Sequence, residues 1–468
     1  MNTIAFDFGM IGLGTMGRNL LLNIADHGFA AIGYDRDEIK GKLLESEATK
    51  GTQVKAAASL AEMVQQLKTP RKIMMLVPAG PIVDAVISNL LPLVSPGDII
   101  IDGGNSHHTD TLKRINSLAD KKIHFMGMGV SGGEAGARYG PSMMPGGDMA
   151  AWKAVQPILE AVAAKAGDQP CVAYMGKAAA GHYVKMVHNG IEYAIMQLIS
   201  EAYDIMKRGL GLSNDELHSV FKKWNEGEMQ SYLMEITASI FLKHDELTKN
   251  RLVDMILDKA GSKGTGKWTS QDAMDLPVSV PTIDIAVAIR DLSGYKDERV
   301  IANTLYKPII KPLKQKEKTI QQLHDALYSA TIICYAQGLA MIAKASTTLQ
   351  MDIPLKAVVS IWRGGCIIRS SLLELFTAAF KRDKQLSNIL LSKKTASLVK
   401  KKIPGLRKII QLAAVSKIPA TGLMSALGYF DAYCSGQMPV NLIQAQRDFF
   451  GAHTYQRIDR EGVFHTEW

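Results

Sequence analysis

The apolar positions of the chain follow two periods. Through the first 180 residues, short apolar runs at 8–13, 30–34, 73–77, 99–102 and 123–126 are mostly separated by helix-sized intervals. Unbroken runs of this length predict strands buried on both faces, and their alternation with helices predicts a doubly wound, largely parallel α/β sheet. Beyond Gly181 the repeat becomes 3.6 residues: 192–207, 231–243, 300–307 and 320–345 read as helices, and strand signals are few. The end of the chain, from Gly436-Gln437-Met438-Pro439 onward, is polar and punctuated by Tyr455, Phe464 and Trp468. The expected organisation is an α/β domain over residues 1–180, an all-helical domain over 181–435 and an extended tail over 436–468. Such a tail needs a surface to pack on, and a second subunit is the candidate.

One helical segment concentrates polar groups on a single face. In Lys185-Met186-Val187-His188-Asn189-Gly190-Ile191-Glu192-Tyr193, the residues Lys185, His188, Asn189 and Glu192 stand at i, i+3, i+4 and i+7. Seven residues of helix put Lys185 and Glu192 about 10 Å apart along the axis. That is too far for an i,i+4 ion pair, but it suits a small polar molecule lying between a base and an acid. A solvated face is the ordinary explanation of a Lys and a Glu on one helix. Here Ile191, Ala194, Ile195, Leu198 and Ile199 make the helix apolar and argue for an interior position.

Glycine-rich turns supply the other candidate chemistry. Gly12-Leu13-Gly14-Thr15-Met16-Gly17 follows a strand-like run and opens a helix-like one, and the next strand ends in Asp35. This is the context in which a GxGxxG loop cradles a pyrophosphate and an acidic residue reads a ribose, so the first domain is expected to be Rossmann-like and to bind a dinucleotide. Asp35 favours the free 2′-hydroxyl of NAD, whereas Arg36 suits the 2′-phosphate of NADP; the two residues point in opposite directions. Asp102-Gly103-Gly104-Asn105-Ser106 and Gly127-Met128-Gly129-Val130-Ser131-Gly132-Gly133-Glu134 are expected to be ligand-facing turns after successive strands. Gly261-Ser262-Lys263-Gly264-Thr265-Gly266-Lys267-Trp268 fits GxxxxGK, but Trp268 replaces the magnesium-binding hydroxyl and 251–259 has a helical pattern, so a P-loop is rejected. Lys263 and Thr265 can still face an anion. Arg447 and His453 stand six residues apart in the tail, without a motif of their own.

Composition narrows the function classes. The chain has 468 residues, 47% hydrophobic and 21% charged, which fits two or three globular domains. No apolar stretch of the ~18–20 residues needed to span a bilayer is expected, and Met1-Asn2-Thr3-Ile4-Ala5-Phe6-Asp7-Phe8 has no secretory pattern. Cys171, Cys334, Cys366 and Cys434 lack zinc or CxxC spacing, so reduced thiols in a cytoplasmic protein and a metal-free mechanism are expected. The net charge of +9 equals the excess within residues 381–410, which carry ten Lys/Arg and only Asp383. That segment has no interleaved aromatics, so a solvated helical surface is favoured over nucleic-acid binding.

Taken together, GLGTMGRNL at 12–20, DGGNS at 102–106, GVSGGEAGARYGPSMMPGG at 129–147, GHYVKMVHNGIEYAIMQLISEAY at 181–203, KGTGKWT at 263–269, IWRGGCIIRS at 361–370 and NLIQAQRDFFGAHTY at 441–455 strongly resemble the decarboxylating 6-phosphogluconate dehydrogenases. The shorter 3-hydroxyisobutyrate dehydrogenases lack the KGTGKWT and QAQRD…H segments. The resemblance implies oxidation and decarboxylation of 6-phosphogluconate to ribulose 5-phosphate in the pentose phosphate pathway. It implies Lys185 as base toward the 3-hydroxyl and Glu192 as acid toward C1. Asn105, Ser131, Gly132, Gly133, His188 and Asn189 are implied at the carboxylate and hydroxyl end. Tyr193, Lys263, Thr265 and Arg290 are implied at the phosphate, with Arg447 and His453 reaching across a homodimer. The implied coenzyme contacts are Gly12, Leu13, Gly14, Thr15, Met16, Gly17, Asp35, Arg36, Asp37, Val77, Pro78, Ala79 and Asn105. NADP-using members commonly have Asn-Arg-Thr or Asn-Arg-Ser in place of Asp35-Arg36-Asp37 and a lysine in place of Pro78, so NADP and NAD are expected almost equally. Another β-hydroxyacid dehydrogenase and a catalytically silent dinucleotide-binding protein are the alternatives; the intact Lys185 and Glu192 count against the second.

Overall fold

The computed structural model describes residues 5–468; the sequence expectation resting on Met1 to Ile4 lies outside them. Seven strands, β1 (Phe8–Ile11), β2 (Ala31–Tyr34), β3 (Val54–Ala56), β4 (Lys72–Met75), β5 (Ile99–Asp102), β6 (His124–Ser131) and β7 (Ser142–Gly147), form one sheet in the order β3-β2-β1-β4-β5-β6-β7. All pairs are parallel except β6–β7. The helices between them are α1 (Thr15–Asp26), α2 (Glu38–Ser46), α3 (Leu60–Gln65), α4 (Pro81–Leu90), α5 (His108–Ala119) and α6 (Gly133–Tyr139), and α7 (Met149–Val162) follows the sheet. Apolar side chains on both faces of the sheet, such as Met10, Met74 and Ile101 on one and Ile32, Ile73 and Ile100 on the other, sit in two separate buried clusters. This is the doubly wound architecture expected, with β3 and β7 as additions that the sequence pattern did not signal.

The second half is helical. It runs α8 (Ala180–Asp204), α9 (Asn214–Asn225), α10 (Tyr232–Ile240), α11 (Leu252–Met255), α12 (Thr265–Asp275), α13 (Pro281–Ser293) and α14 (Lys296–Tyr306). It continues through α15 (Lys316–Thr348), α16 (Leu355–Ile361), α17 (Leu372–Arg382), α18 (Lys393–Ser416), α19 (Thr421–Tyr433) and α20 (Val440–Gly451). One core cluster unites α8, α15, α18 and α19, with Tyr183, Tyr335, Trp362 and Phe376 among its fully buried side chains.

Four expectations need correction. α15 is long and apolar enough by composition to cross a bilayer, contrary to the expected lack of any such stretch, but 89% of its apolar window is buried inside this fold. Its polar residues interrupt the apolar run in sequence yet share the interior, as Gln337 does by bonding Thr282. The helical pattern at 251–259 yields only the single turn of α11. The glycines at 127 and 129 lie inside β6 rather than in a turn, and only Gly132 and Gly133, with φ of 124° and 63°, reverse the chain. In the basic segment most cations are exposed, but Lys402 is buried and paired with Glu228 and Asp325.

Candidate active site

The helix α8 links the two halves of the molecule. Its N-terminal part lies across β6, and it is there that the strand glycines matter: a Cβ on Gly129 would stand 2.3 Å from Lys185 Cβ, and one on Gly127 would stand 2.8 Å from His182 Nδ1. The glycines let a helix approach a strand closely enough to bury Lys185, which is only 7% exposed. His188 is fully buried, Asn189 nearly so, and Glu192 partly exposed.

Three groups converge on His188 Nδ1: Asn189 Oδ1 at 3.1 Å, Lys185 Nζ at 3.5 Å and Glu192 Oε2 at 3.8 Å. Ser131 Oγ lies 3.3 Å from Nε2, and Trp362 packs edge-on against the ring with centroids 5.6 Å apart. Burial, reinforced by the Lys185 charge and opposed by the Asn189 bond, holds the imidazole pKa well below its usual value, so the ring is neutral. The Asn189 oxygen then assigns the proton to Nδ1 and leaves Nε2 to accept from Ser131.

The two ends of this face are shifted in opposite directions. Burial lowers the Lys185 pKa from its ordinary 10.5, against the opposing pull of Glu192 and Cys366. Burial raises the Glu192 pKa from 4.5, against Lys185 and Arg290. Both shifts favour the uncharged form, giving an amine able to accept a proton and a carboxylic acid able to donate one.

A cationic end adjoins Glu192. The Arg290 guanidinium lies 3.7 Å from the centroid of the Tyr193 ring, a cation–π contact that fixes both groups. Asn189 Nδ2 donates to Thr265 Oγ1 at 3.1 Å, which ties α8 to the first turn of α12. No side chain caps that helix, and its N-terminus, with exposed Lys263 just before it, is suited to an anion.

The switch point of the sheet lies between β1 and β4, and a cavity of about 590 Å³ opens there, lined by Gly12, Gly14, Tyr34, Asp35, Arg36, Lys40, Val77 and Pro78 among others. Gly12 has φ 91° with its missing Cβ 2.5 Å from Leu76 O, and Gly17 is packed so closely that a Cβ would meet Gly12 O at 1.9 Å. A Cβ on Gly14 would meet nothing, and α1 begins there without a side-chain cap. Open space in front of uncapped N–H groups fits a dinucleotide pyrophosphate. Leu13 is fully buried and Met16 packs against the core, so Leu13 offers only backbone. Thr15 is exposed at the helix start, and Ala79 beside Pro78 is exposed at the crevice rim.

Asp35 is not free. Its carboxylate accepts from Leu13 N at 2.8 Å and Asp37 N at 3.0 Å and pairs with Lys40 at 3.3 Å. Burial raises its pKa, but these bonds outweigh that and hold it below the usual carboxylate value. Asp37 is turned away as the cap of α2, accepting from Ile39 N. Arg36 is exposed on the wall of the cavity.

Asn105 is exposed just past β5. Behind it lies a network that sequence reasoning missed: Arg114 bonds Asp84, Gly80 O, Asp102 and Ser106, joining the loops after β4 and β5. His182 bonds Asp102 O at 3.0 Å and Thr111 Oγ1 at 2.6 Å, joining the same loop to α8. His182 had a usable signal, since it precedes Lys185 by three residues on one face; Arg114 had none. Arg447 and His453 do not join the site within one chain. Among the described residues, Arg447 bonds only Gln444, and His453 stacks edge-on with Phe450.

Residues 7–176 match the NAD binding domain of 6-phosphogluconate dehydrogenase, and residues 181–468 match its C-terminal domain. The chain belongs to the 6-phosphogluconate dehydrogenase family. It is 51% identical over 462 residues to the NADP(+)-dependent, decarboxylating enzyme of Bacillus subtilis, covering 98% of each chain. It is 48% identical over 465 residues to the decarboxylating enzyme of Lactococcus lactis, covering 99% of this chain and 98% of the relative. A solved structure of Plasmodium falciparum 6-phosphogluconate dehydrogenase, described in apo form and in complex with NADP+ or 6-phosphogluconate, superposes with a TM-score of 0.96 at 45% identity. That match covers 99% of this chain and all of the other.

Proposed function

We propose that the protein catalyses the oxidative decarboxylation of 6-phosphogluconate to ribulose 5-phosphate and CO2. The observation that carries this is the convergence of Lys185 and Glu192 on the buried His188 ring along one face of α8, next to the Arg290–Tyr193 pair, with burial lowering the pKa of the lysine and raising that of the glutamate. A bound nicotinamide dinucleotide supplies the hydride acceptor. Uncharged Lys185 takes the proton of the 3-hydroxyl as C3 is oxidised. The resulting ammonium returns a proton to the keto oxygen while the β-keto acid loses CO2, which leaves an enediol. Glu192, whose pKa burial raises, then delivers a proton to the substrate's C2, which becomes C1 of ribulose 5-phosphate, as Lys185 takes the remaining hydroxyl proton at C3 to restore the ketone.

The remaining assignments orient the substrate. Asn105, Ser131, Gly132, Gly133, His188 and Asn189 take the carboxylate and hydroxyl end. Tyr193, Lys263, Thr265 and Arg290 take the phosphate, assisted by Arg447 and His453 of a second copy of the chain. The homodimer is supported by the tail, where Leu442, Ile443, Phe449 and Phe450 are exposed, and by the exposed Leu305 and Tyr306 of α14.

NADP is the proposed acceptor, supported by the names of relatives and by Arg36 beside a crevice whose acidic residue is already bonded. Asp35 is the observation that favours NAD, because a carboxylate there can still accept a ribose hydroxyl. Steady-state turnover of 6-phosphogluconate with each dinucleotide, with the product identified as ribulose 5-phosphate, tests the reading. Turnover with neither would overturn the reaction, and a kcat/KM ratio favouring NAD would overturn only the coenzyme.

A further inference from the structure

Helix α12 lies antiparallel on α8, and its contacts repeat along one face at 265, 269 and 272. Thr265 Oγ1 meets Asn189, Thr269 Oγ1 donates to Met186 O at 2.8 Å, and Asp272 Oδ2 accepts from Tyr183 OH at 2.5 Å. The approach is close because Gly190 faces Thr269 and Gly266 faces the Tyr193 ring; a Cβ on either would fall within 3 Å of its neighbour. The α12 register on α8 therefore fixes where Thr265 and the loop bearing Lys263 stand.

The far end of this face is gripped from the other half of the molecule. Asp272 Oδ1 lies 2.9 Å from Nε2 of His108, the first residue of α5, three residues beyond Asn105. The carboxylate accepts only, so Nε2 carries the proton. Both side chains are largely buried, at 8% exposure for His108 and 12% for Asp272. His107 stacks on His108 and contacts the edge of Trp268, which adds a second link between α5 and α12. Burial raises the Asp272 pKa, but the bonds from His108 and Tyr183 outweigh it and keep the group ionised.

We infer that Asp272, with His108 and Tyr183, is a positioning clasp that holds the phosphate-facing end of α12 in register with the coenzyme-facing loop at Asn105. The inference rests on the proposed reaction, and it assigns none of the three residues a contact with substrate. Its consequence is geometric. A substrate anchored at Thr265 and a dinucleotide lying by Asn105 keep their C3-to-nicotinamide separation only while α5 and α12 are joined.

The test compares the full-length wild type with Asp272→Asn, His108→Leu and the double variant. His108→Leu removes the donor to Asp272 and leaves the Tyr183 bond to the carboxylate in place, so it keeps the test decisive if Asp272→Asn folds poorly. Expected for each single variant is a fall in kcat of about tenfold or more per folded molecule, because an ångström-scale misplacement has that effect. The deuterium isotope effect with C3-deuterated 6-phosphogluconate should change, and substrate-free binding of the dinucleotide should stay within about twofold. The double variant should lose no more than the worse single one, the signature of residues acting through one contact. Unchanged kcat and isotope effect per folded molecule, or fully additive losses, would overturn the clasp while leaving the reaction standing. Failure of the wild type itself to turn over would remove the proposed function and the clasp with it.

Discussion

Lys185 and Glu192 owe their roles to burial rather than to each other. Their mutual attraction would charge both groups, and desolvation is the larger influence on each. Activity needs Lys185 uncharged, so it falls as pH drops through the lowered lysine pKa; it needs Glu192 protonated, so it falls as pH rises through the raised glutamate pKa. The pH profile of kcat/KM is therefore predicted to be a bell, with the lysine limb below the ordinary 10.5 and the glutamate limb above the ordinary 4.5. Glu192→Gln should lower kcat by about 10²–10⁴-fold and leave a single limb; a bell that persists with both limbs would remove the acid role. At the coenzyme site, Asp35→Asn should free Lys40 and reduce the negative charge beside the crevice, raising the NADP-to-NAD ratio of kcat/KM. An unchanged ratio would show that Asp35 serves only to anchor Leu13 and Lys40.

Elements place these groups because glycine lets them approach. A methyl at Gly190 would lie 2.7–2.9 Å from side-chain atoms of Thr269, with α12 unable to retreat without losing its bonds to α8. Gly190→Ala is predicted to destabilise the protein by about 1–3 kcal/mol, the usual cost of overpacking, and to raise KM for the substrate. A denaturation midpoint and KM both equal to wild type would contradict this. The same glycines explain what sequence did and did not disclose. The face of α8 was legible because Lys185, His188, Asn189 and Glu192 repeat at helical spacing. The strand β6 was legible only in its first half, since glycines that admit α8 look locally like a turn. β7 hid for a similar reason, its Ser142-Met143-Met144-Pro145-Gly146-Gly147 reading as a breaker although it pairs antiparallel with β6. β3, three residues long, carries too little pattern to register.

At the scale of the molecule, the tail is organised around itself. Asp448 is fully buried and gathers Thr454 N, His465 Nδ1, Thr466 N and Trp468 Nε1, while the apolar residues of α20 on either side face outward. A small folded unit with an exposed apolar face is suited to packing on a second copy. If Arg447 serves the partner's site, Lys185→Ala and Arg447→Ala chains, each inactive alone, should regain roughly a quarter of wild-type activity after random reassociation, because each mixed dimer has one intact site. An Arg447 serving its own chain would restore nothing. Contacts made only between half-molecules, such as Asp272 to His108, were invisible in sequence because nothing in spacing connects residues 164 positions apart.

The central claim is that one helix face oxidises and decarboxylates a single substrate, with Lys185 starting the reaction. It is tested most directly with 6-phosphogluconate labelled with carbon-13 at C1, by counting reduced dinucleotide and labelled CO2 in wild type and Lys185→Ala. The account predicts equal amounts from the wild type and neither from the variant, whose dinucleotide binding stays intact. Turnover without CO2, no turnover by the wild type, or a Lys185→Ala variant that still oxidises at a comparable rate would contradict it.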